Sequence, residues 1–147
     1  MTTTPAPTLP DEALERLRRQ DAAAPAPGTT LTIAEVAERT GVSAHSLRYY
    51  ERIGLLDVPR DPAGNRVYDE RAYARVVFCS RLRMTGMPIR ELQRYVAMVN
   101  EGEATEPDRL RMLLEHRQAV QAQIRRLQVA LETIDFKIAT YGGRTEP

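Results

Sequence analysis

Residues 31–56 read LTIAEVAERTGVSAHSLRYYERIGLL, and the spacing within them decides the fold. Thr32 followed three residues later by Glu35 is a capping box, the pattern that opens a helix by satisfying its first orphan N–H groups. Ile33, Val36 and Ala37 then recur at helical spacing. Gly41 stops this helix and Ser43 can cap the next, which runs from about Ala44 to Ile53 with Leu47 and Tyr50 on one face, and Gly54 ends it. Ala37 is small where two helices must approach closely. Gly41 stands four residues on, where the turn needs a positive φ. Val42, Leu47 and Tyr50 supply an apolar inner face. The pattern is a helix-turn-helix over about residues 33–52. Two short helices with a glycine turn can also pack without touching DNA, so the pattern alone leaves the function open.

Downstream, Pro59, Pro62, Gly64 and Asn65 are turn residues set between short apolar pairs. They predict a small two-stranded hairpin with its tip near Pro62 to Asn65, a wing over about 57–68. Asp69 caps a third helix through about Thr85, and Gly86 breaks it. Pro88 suits the first turn of a fourth helix reaching about Asn100. Residues 31–100 thus form one small domain.

A last helix is expected from Thr105, with Asp108 in the capping position, to about Tyr141. Leu110, Leu113, Val120, Ile124, Leu127, Leu131, Ile134, Ile138 and Tyr141 recur at alternating spacings of three and four, and only Arg117 interrupts them. Such heptads are a coiled-coil pattern. A stripe this narrow needs a partner, and a second copy of the chain is the simplest one. Packing along the chain's own globular part is the alternative. A helix of about 37 residues is roughly 55 Å long, however, and overshoots a domain of about 70 residues. Residues 105–141 therefore read as a dimerisation helix and 142–147 as a short tail. Residues 1–30, with TTTPAPTLP and AAAPAPGTT, read as a flexible tail. Within it Asp11 to Gln20 can form a helix with Leu14 and Leu17 on one face, but ten residues are too few to be stable alone.

The chain has 147 residues, enough for one such domain and one extended element. The formal net charge of +1 hides an uneven distribution, because residues 31–99 carry 11 Arg against 8 acids while both flanking segments are net negative. The middle segment has no lysine, and Lys137 is the only one in the chain. Arginine forks onto phosphate and guanine, so this balance favours nucleic acid without deciding for it. No apolar run approaches the roughly 20 residues of a membrane span, and residues 1–10 do not look like a secretory signal. The single cysteine, Cys79, cannot form an intramolecular disulfide. A cytoplasmic, nucleoid-associated protein without a membrane partner is expected. There is no phosphate-binding glycine loop, metal-ligand cluster or nucleophile with a paired base, so neither an enzyme nor a cofactor is expected.

The run Arg48-Tyr49-Tyr50-Glu51-Arg52-Ile53-Gly54-Leu55-Leu56, then Gly64-Asn65-Arg66-Val67-Tyr68, then the Gly86-Met87-Pro88-Ile89 turn and the terminal heptads stand in an order that resembles the MerR family of winged-helix regulators. The resemblance covers about residues 31–141. It is nearest to short members without an appended ligand domain, and Ile134-Asp135-Phe136-Lys137-Ile138 suggests the aldehyde- and electrophile-responsive group. It implies a mainly α fold: a winged helix-turn-helix followed by a long dimerisation helix in an antiparallel coiled coil. It also implies a homodimer on a palindromic promoter operator in double-stranded DNA, acting with RNA polymerase by bending and untwisting the spacer. A coiled-coil adaptor, or a DNA-architectural protein without promoter action, is the alternative.

Physically, the N-terminal end of the second helix is expected in the major groove. Ser43, Ala44, His45 and Ser46 are then nearest the base edges, with Ser46 and His45 able to hydrogen-bond and Ala44 able to touch a thymine methyl. Arg48 and Tyr49 lie one turn on, within reach of phosphate, with Arg52 beyond them or paired to Glu51. Tyr50 reads as core. Asn65 and Arg66 of the wing suit the neighbouring backbone or the minor groove, and the resemblance adds Tyr68. Arg60, Arg75, Arg81 and Arg83 are further phosphate candidates. Dimerisation falls to Leu110, Leu113, Val120, Ile124, Leu127, Leu131, Ile134 and Ile138. His116 reads as a solvated or rim residue.

Metal-sensing relatives use cysteines around the dimerisation helix. Residues 100–106 and 142–147 have none, so no metal site is expected. Glu101, Glu103, Glu106 and Asp108 read as a solvated loop and favourable charge at a helix start. Cys79 is the one redox candidate. Thiol-sensing relatives carry a cysteine in the third helix at the place of Arg81 here, so Cys79 is either a buried structural residue or a sensor whose pKa Arg75, Arg81 or Arg83 lowers.

Overall fold

The computed structural model describes residues 11–145, apart from the side chains of residues 13, 14, 16 and 20. The expected role of Leu14, and the tail residues 1–10 and 146–147, lie outside that range. The chain forms two compact units, one through Met84 and one from Thr85 onward.

The first unit holds α1 (Asp11–Ala22), α2 (Ile33–Thr40), α3 (Ala44–Arg52) and α4 (Glu70–Met84). The capping box forms as read: the Thr32 hydroxyl accepts from the Glu35 backbone N–H while the Glu35 carboxylate accepts from that of Thr32. Gly41 closes α2 at φ 76, its N–H donating to the Ala37 carbonyl. That left-handed turn aims α3 back across α2. Ser43 caps α3 by accepting from the Ser46 N–H. Asp69 caps α4 by accepting from the Ala72 N–H.

The core joins Leu31, Val36, Leu47, Leu56, Val58, Tyr68, Tyr73, Val76 and Val77, with Ile33, Ala37, Val42 and Tyr50 packed against it. The wing lacks regular strands. Two isolated antiparallel bridges take their place, Arg60 with Arg66 and Leu31 with Tyr68. Pro59 and Pro62 carry no N–H to donate, which shortens the ladder. The Pro59 carbonyl still accepts from Val67, and Asp61 holds the tip by accepting from the Asn65 N–H on its side chain and the Gly64 N–H on its carbonyl. The outer arm therefore runs on to pair with Leu31, the residue that leads into α2.

A single carboxylate fixes this wing to α3. Glu51 Oε1 accepts from Arg60 Nη2 at 2.8 Å and from Arg66 Nε at 2.9 Å. Burial alone raises the Glu51 carboxyl, but the hydrogen bonds and charges of the two guanidinium groups outweigh it, so the carboxyl titrates below its ordinary 4.5.

The segment expected as a flexible tail, residues 1–30, is described from residue 11 onward. Residues 11–22 are helical, and their end is tied down. Arg81 Nη2 donates to the Leu17 carbonyl at 3.0 Å and to Asp21 Oδ1 at 2.9 Å, and Arg39 Nη1 donates to the Ala23 carbonyl at 2.8 Å. Ala23 packs on the core. A helix too short to stand alone persists because tertiary contacts hold it.

The second unit holds α5 (Ile89–Glu101), a 3-10 turn (Glu103–Thr105) and α6 (Glu106–Thr140). Pro88 lies at the N-cap of α5, one residue earlier than expected. Met87, Leu92, Tyr95, Val96 and Met112 are its buried residues. Asp108 does not cap α6 and instead pairs with Arg111 at 2.8 Å. His116 Nε2 and the Thr85 hydroxyl lie 2.9 Å apart. Gly142 at φ 74 ends α6, with the Gly143 N–H returning to the Ile138 carbonyl, and Lys137 Nζ stands 4.8 Å from the centre of the Tyr141 ring. The 35 residues of α6 span about 52 Å. Of its stripe, Leu110, Ile124, Leu127, Leu131 and Ile134 remain between 51% and 62% exposed.

Two outcomes test this packing. Leu47→Ala, at a site with no exposure, is expected to cost about 2–5 kcal/mol in urea unfolding through the cavity it leaves. Glu51→Gln is expected to cost about 1–2 kcal/mol at neutral pH. A carboxyl whose folded pKa is depressed stabilises the fold above its unfolded value and loses that contribution as pH falls through the folded one. The gap between wild type and Glu51→Gln therefore narrows as pH drops below 4.5, read as melting midpoints across an acid series.

Candidate nucleic-acid interface

The first turn of α3 presents Ala44 and His45 immediately after its Ser43 cap, and His45 is exposed. The Ser43 hydroxyl is committed: its oxygen accepts from the Ser46 N–H and its proton goes to Ser46 Oγ at 3.0 Å. That leaves the half-buried Ser46 hydroxyl with a proton still to donate. Ser43 thus serves as the cap of α3.

One turn further, Arg48 and Tyr49 are exposed, while Tyr50 turns toward the core as its spacing indicates. Arg52 lies over the Tyr49 ring with its guanidinium carbon 5.6 Å from the centroid, and the Tyr49 and Tyr50 rings are 6.2 Å apart. The stacked pair Tyr49–Arg52 is a stiff cationic projection, because stacking fixes a side chain that is otherwise rotamer-rich. Arg52 does not take Glu51. That carboxylate goes to Arg60 and Arg66, which hold the wing beside the recognition helix while their remaining N–H groups stay available. Asn65 stands at the exposed wing tip with its amide on Asp61.

The fold engages Tyr68 and Arg81, and Cys79 falls on the structural side of its two readings. Tyr68 has no exposure, and its hydroxyl is buried without a hydrogen-bond partner among the described residues. Burial also raises its pKa. Its backbone bridge to Leu31 turns the ring inward, so it is a core residue and not a DNA contact. Arg81 serves the fold by holding α1. Cys79 lies on the buried side of α4 with no exposure. Burial pushes its thiol up to about 11, against the opposing charge of Arg75. A thiol so protonated and enclosed is a poor nucleophile, and its setting gives no support to the sensor role. Arg75 is half-buried and Arg83 exposed.

The residue that sequence reasoning missed is Glu51. The available sign was two arginines, 60 and 66, at matched places on either arm of a tight turn. Such a pair brings two like charges together and calls for an acid between them.

Comparison with known proteins places the chain in a family. Residues 31–99 match the family described as MerR HTH family regulatory protein, and residues 73–135 match the region described as MerR, DNA binding. An uncharacterized HTH-type transcriptional regulator of Haemophilus influenzae is 33% identical over 113 residues, which is 76% of this chain and 84% of that protein. Among solved structures, one assigned to the MerR transcriptional regulators of Listeria monocytogenes has a TM-score of 0.69 at 37% identity, covering 76% of this chain and 86% of that one. The structure of HiNmlR, described as a MerR family regulator lacking the sensor domain and bound to promoter DNA, has a TM-score of 0.67 at 32% identity, covering 78% of this chain and 91% of that one. A capped helix-turn-helix, a wing clamped beside it, a long terminal helix and these matches together establish that the chain belongs to the MerR family of DNA-binding helix-turn-helix transcription regulators.

Proposed function

We propose that the protein binds a two-fold-symmetric promoter operator as a homodimer and regulates transcription by bending and untwisting the DNA between promoter elements. The observation that carries this reading is the composite surface of α3 and the wing. His45 is exposed and Ser46 half-buried on the first turn of α3, Arg48 and the stacked Tyr49–Arg52 pair lie one turn on, and Glu51 holds Arg60 and Arg66 alongside. The likeness to a regulator solved on promoter DNA supports it. In this reading His45 and Ser46 supply base contacts, while Arg48, Arg52, Arg60, Asn65 and Arg66 supply phosphate contacts that set position and affinity. Arg75 and Arg83 remain phosphate candidates at the edge of this surface.

The homodimer reading rests on α6, whose stripe from Leu110 to Ile138 includes five large apolar side chains more than half exposed. Two copies bring two winged helices to one duplex, which suits an operator with two-fold symmetry. Sequence preference at the centre of such an operator comes from the cost of deforming base steps that no side chain touches. RNA polymerase is the partner that reads the deformed DNA. Among the described residues no helix is long and apolar enough to cross a membrane, in keeping with action on the nucleoid. Cys79 is a packing residue in this account, and an inducer, where one acts, works elsewhere than through its thiol.

Two experiments check these statements. Mobility-shift titration on the upstream region of the protein's own gene is expected to give log Kd rising linearly with log salt. Arg48→Ala is expected to lower that slope by about one while weakening all sequences alike, and Ser46→Ala to cost about 1–3 kcal/mol on the operator alone. Salt-independent binding, or transcription in vitro indifferent to the protein, overturns the proposal. For Cys79, iodoacetamide at neutral pH is expected to label the unfolded chain and leave the native protein unlabelled, and Cys79→Ala to leave operator affinity within about twofold. Rapid labelling of the native state restores the thiol as a sensor candidate.

A further inference from the structure

The antiparallel homodimer expected from the family resemblance is the premise here, and it leaves open the register in which the two copies of α6 lie. One residue of the stripe constrains the answer. In heptad notation Leu110, Arg117, Ile124, Leu131 and Ile138 occupy the first core position, and Leu113, Val120, Leu127, Ile134 and Tyr141 the fourth. Nine of the ten are apolar, and the tenth is a full positive charge. Among the described residues neither Arg117 nor Asp135 joins an ion pair within its own chain.

In a parallel pair each core position meets its own copy. Arg117 then meets a second Arg117 inside an apolar seam. The hole that receives it is formed by Leu113, His116, Arg117 and Val120, which contains no carboxylate. Two like charges brought out of water with no acid between them oppose association.

In an antiparallel pair the first core position of one helix lies level with the fourth of the other. Matching every layer pairs Leu110 with Tyr141, Leu113 with Ile138, Arg117 with Ile134, Val120 with Leu131 and Ile124 with Leu127, about a two-fold axis between residues 125 and 126. Arg117 now enters a hole formed by Leu131, Ile134, Asp135 and Ile138 of the second copy, and Asp135 is an acid. Symmetry makes the contact twice. A slip of one heptad removes it: the hole becomes Ile124, Leu127, Gln128 and Leu131 in one direction, and runs off the end of α6 in the other. The arginine that looks like a defect in the stripe is thus satisfied in one orientation and one alignment. A lone polar residue at a core position lowers the strength of a coiled coil and in exchange selects its register.

We propose that Arg117 forms an ion pair with Asp135 of the partner subunit and so fixes the fully matched register of the antiparallel α6 pair. Sedimentation equilibrium of the full-length protein tests the charge contact. Arg117→Glu and Asp135→Arg are each expected to raise the dimer Kd by about tenfold or more, and the double exchange to return it to within about threefold of wild type. Disulfide trapping in a Cys79→Ala background tests the register. Leu113→Cys and Ile138→Cys chains are expected to cross-link to each other when mixed, and neither to itself, because the matched register places residue 113 beside 138 and far from its own copy. Circular dichroism confirms that each variant keeps its helix. A wild-type dimer in which Leu113→Cys links to itself, or in which the double exchange rescues nothing, overturns the register and leaves the homodimer standing. A wild-type protein that remains a single subunit at micromolar concentration overturns the homodimer and the register together.

Discussion

The carboxylate of Glu51 is the contact on which the reading head depends. It lies in the last turn of α3 and holds one arginine from each arm of the wing, at 2.8 and 2.9 Å. Without it, Arg60 and Arg66 face each other across an antiparallel bridge as like charges. With it, the wing is locked to the helix that carries His45, Ser46 and Arg48, and a short hairpin that cannot build a regular ladder acquires a fixed place. The bonds are charge-assisted and partly shielded from water, which makes them stronger than exposed ion pairs of the same length.

Much of this was legible from the residues alone. The capping box at Thr32, the positive φ at Gly41, the Ser43 cap and the apolar spacing through Leu47 are local rules, and each acts within four residues of itself. The boundaries of α2, α3 and α4 accordingly fall within a residue of where those rules put them. The heptads of α6 are equally local. What escaped was everything set by contacts across the sequence. The α1 segment, read as tail because ten residues cannot hold a helix alone, is fixed by Arg81 from 60 residues away. Tyr68 shares the R-x-Y pattern of a DNA-facing wing, yet its backbone bridge to Leu31 sends the ring inward. Glu51 has an arginine next to it in the chain and takes two others.

The candidate site illustrates the same division. Its α3 residues could be named from helical position, because the face of a helix is a matter of counting. Its arginines could not be sorted, because their type is compatible with phosphate, with a carboxylate and with a backbone carbonyl alike. Arg48 is exposed, Arg52 stacks on Tyr49, Arg60 and Arg66 hold Glu51, and Arg81 holds α1. A charge excess over residues 31–99 therefore overstates the number of cations wholly free for DNA, since Arg39 and Arg81 bind the N-terminal segment and Arg60 and Arg66 share their donors with Glu51.

The near-absence of lysine has a practical corollary. Lys137 carries the only side-chain amine in the chain, one turn from the end of α6 and set over the ring of Tyr141. Acylating reagents, reductive alkylation and enzymatic acetylation thus have a single side-chain target, and a tag on that amine, once resolved from any on the α-amine, reports from one known place on the molecule. Arginine supplies nearly all the positive charge, so neutralising that amine would leave the electrostatics of the reading head untouched.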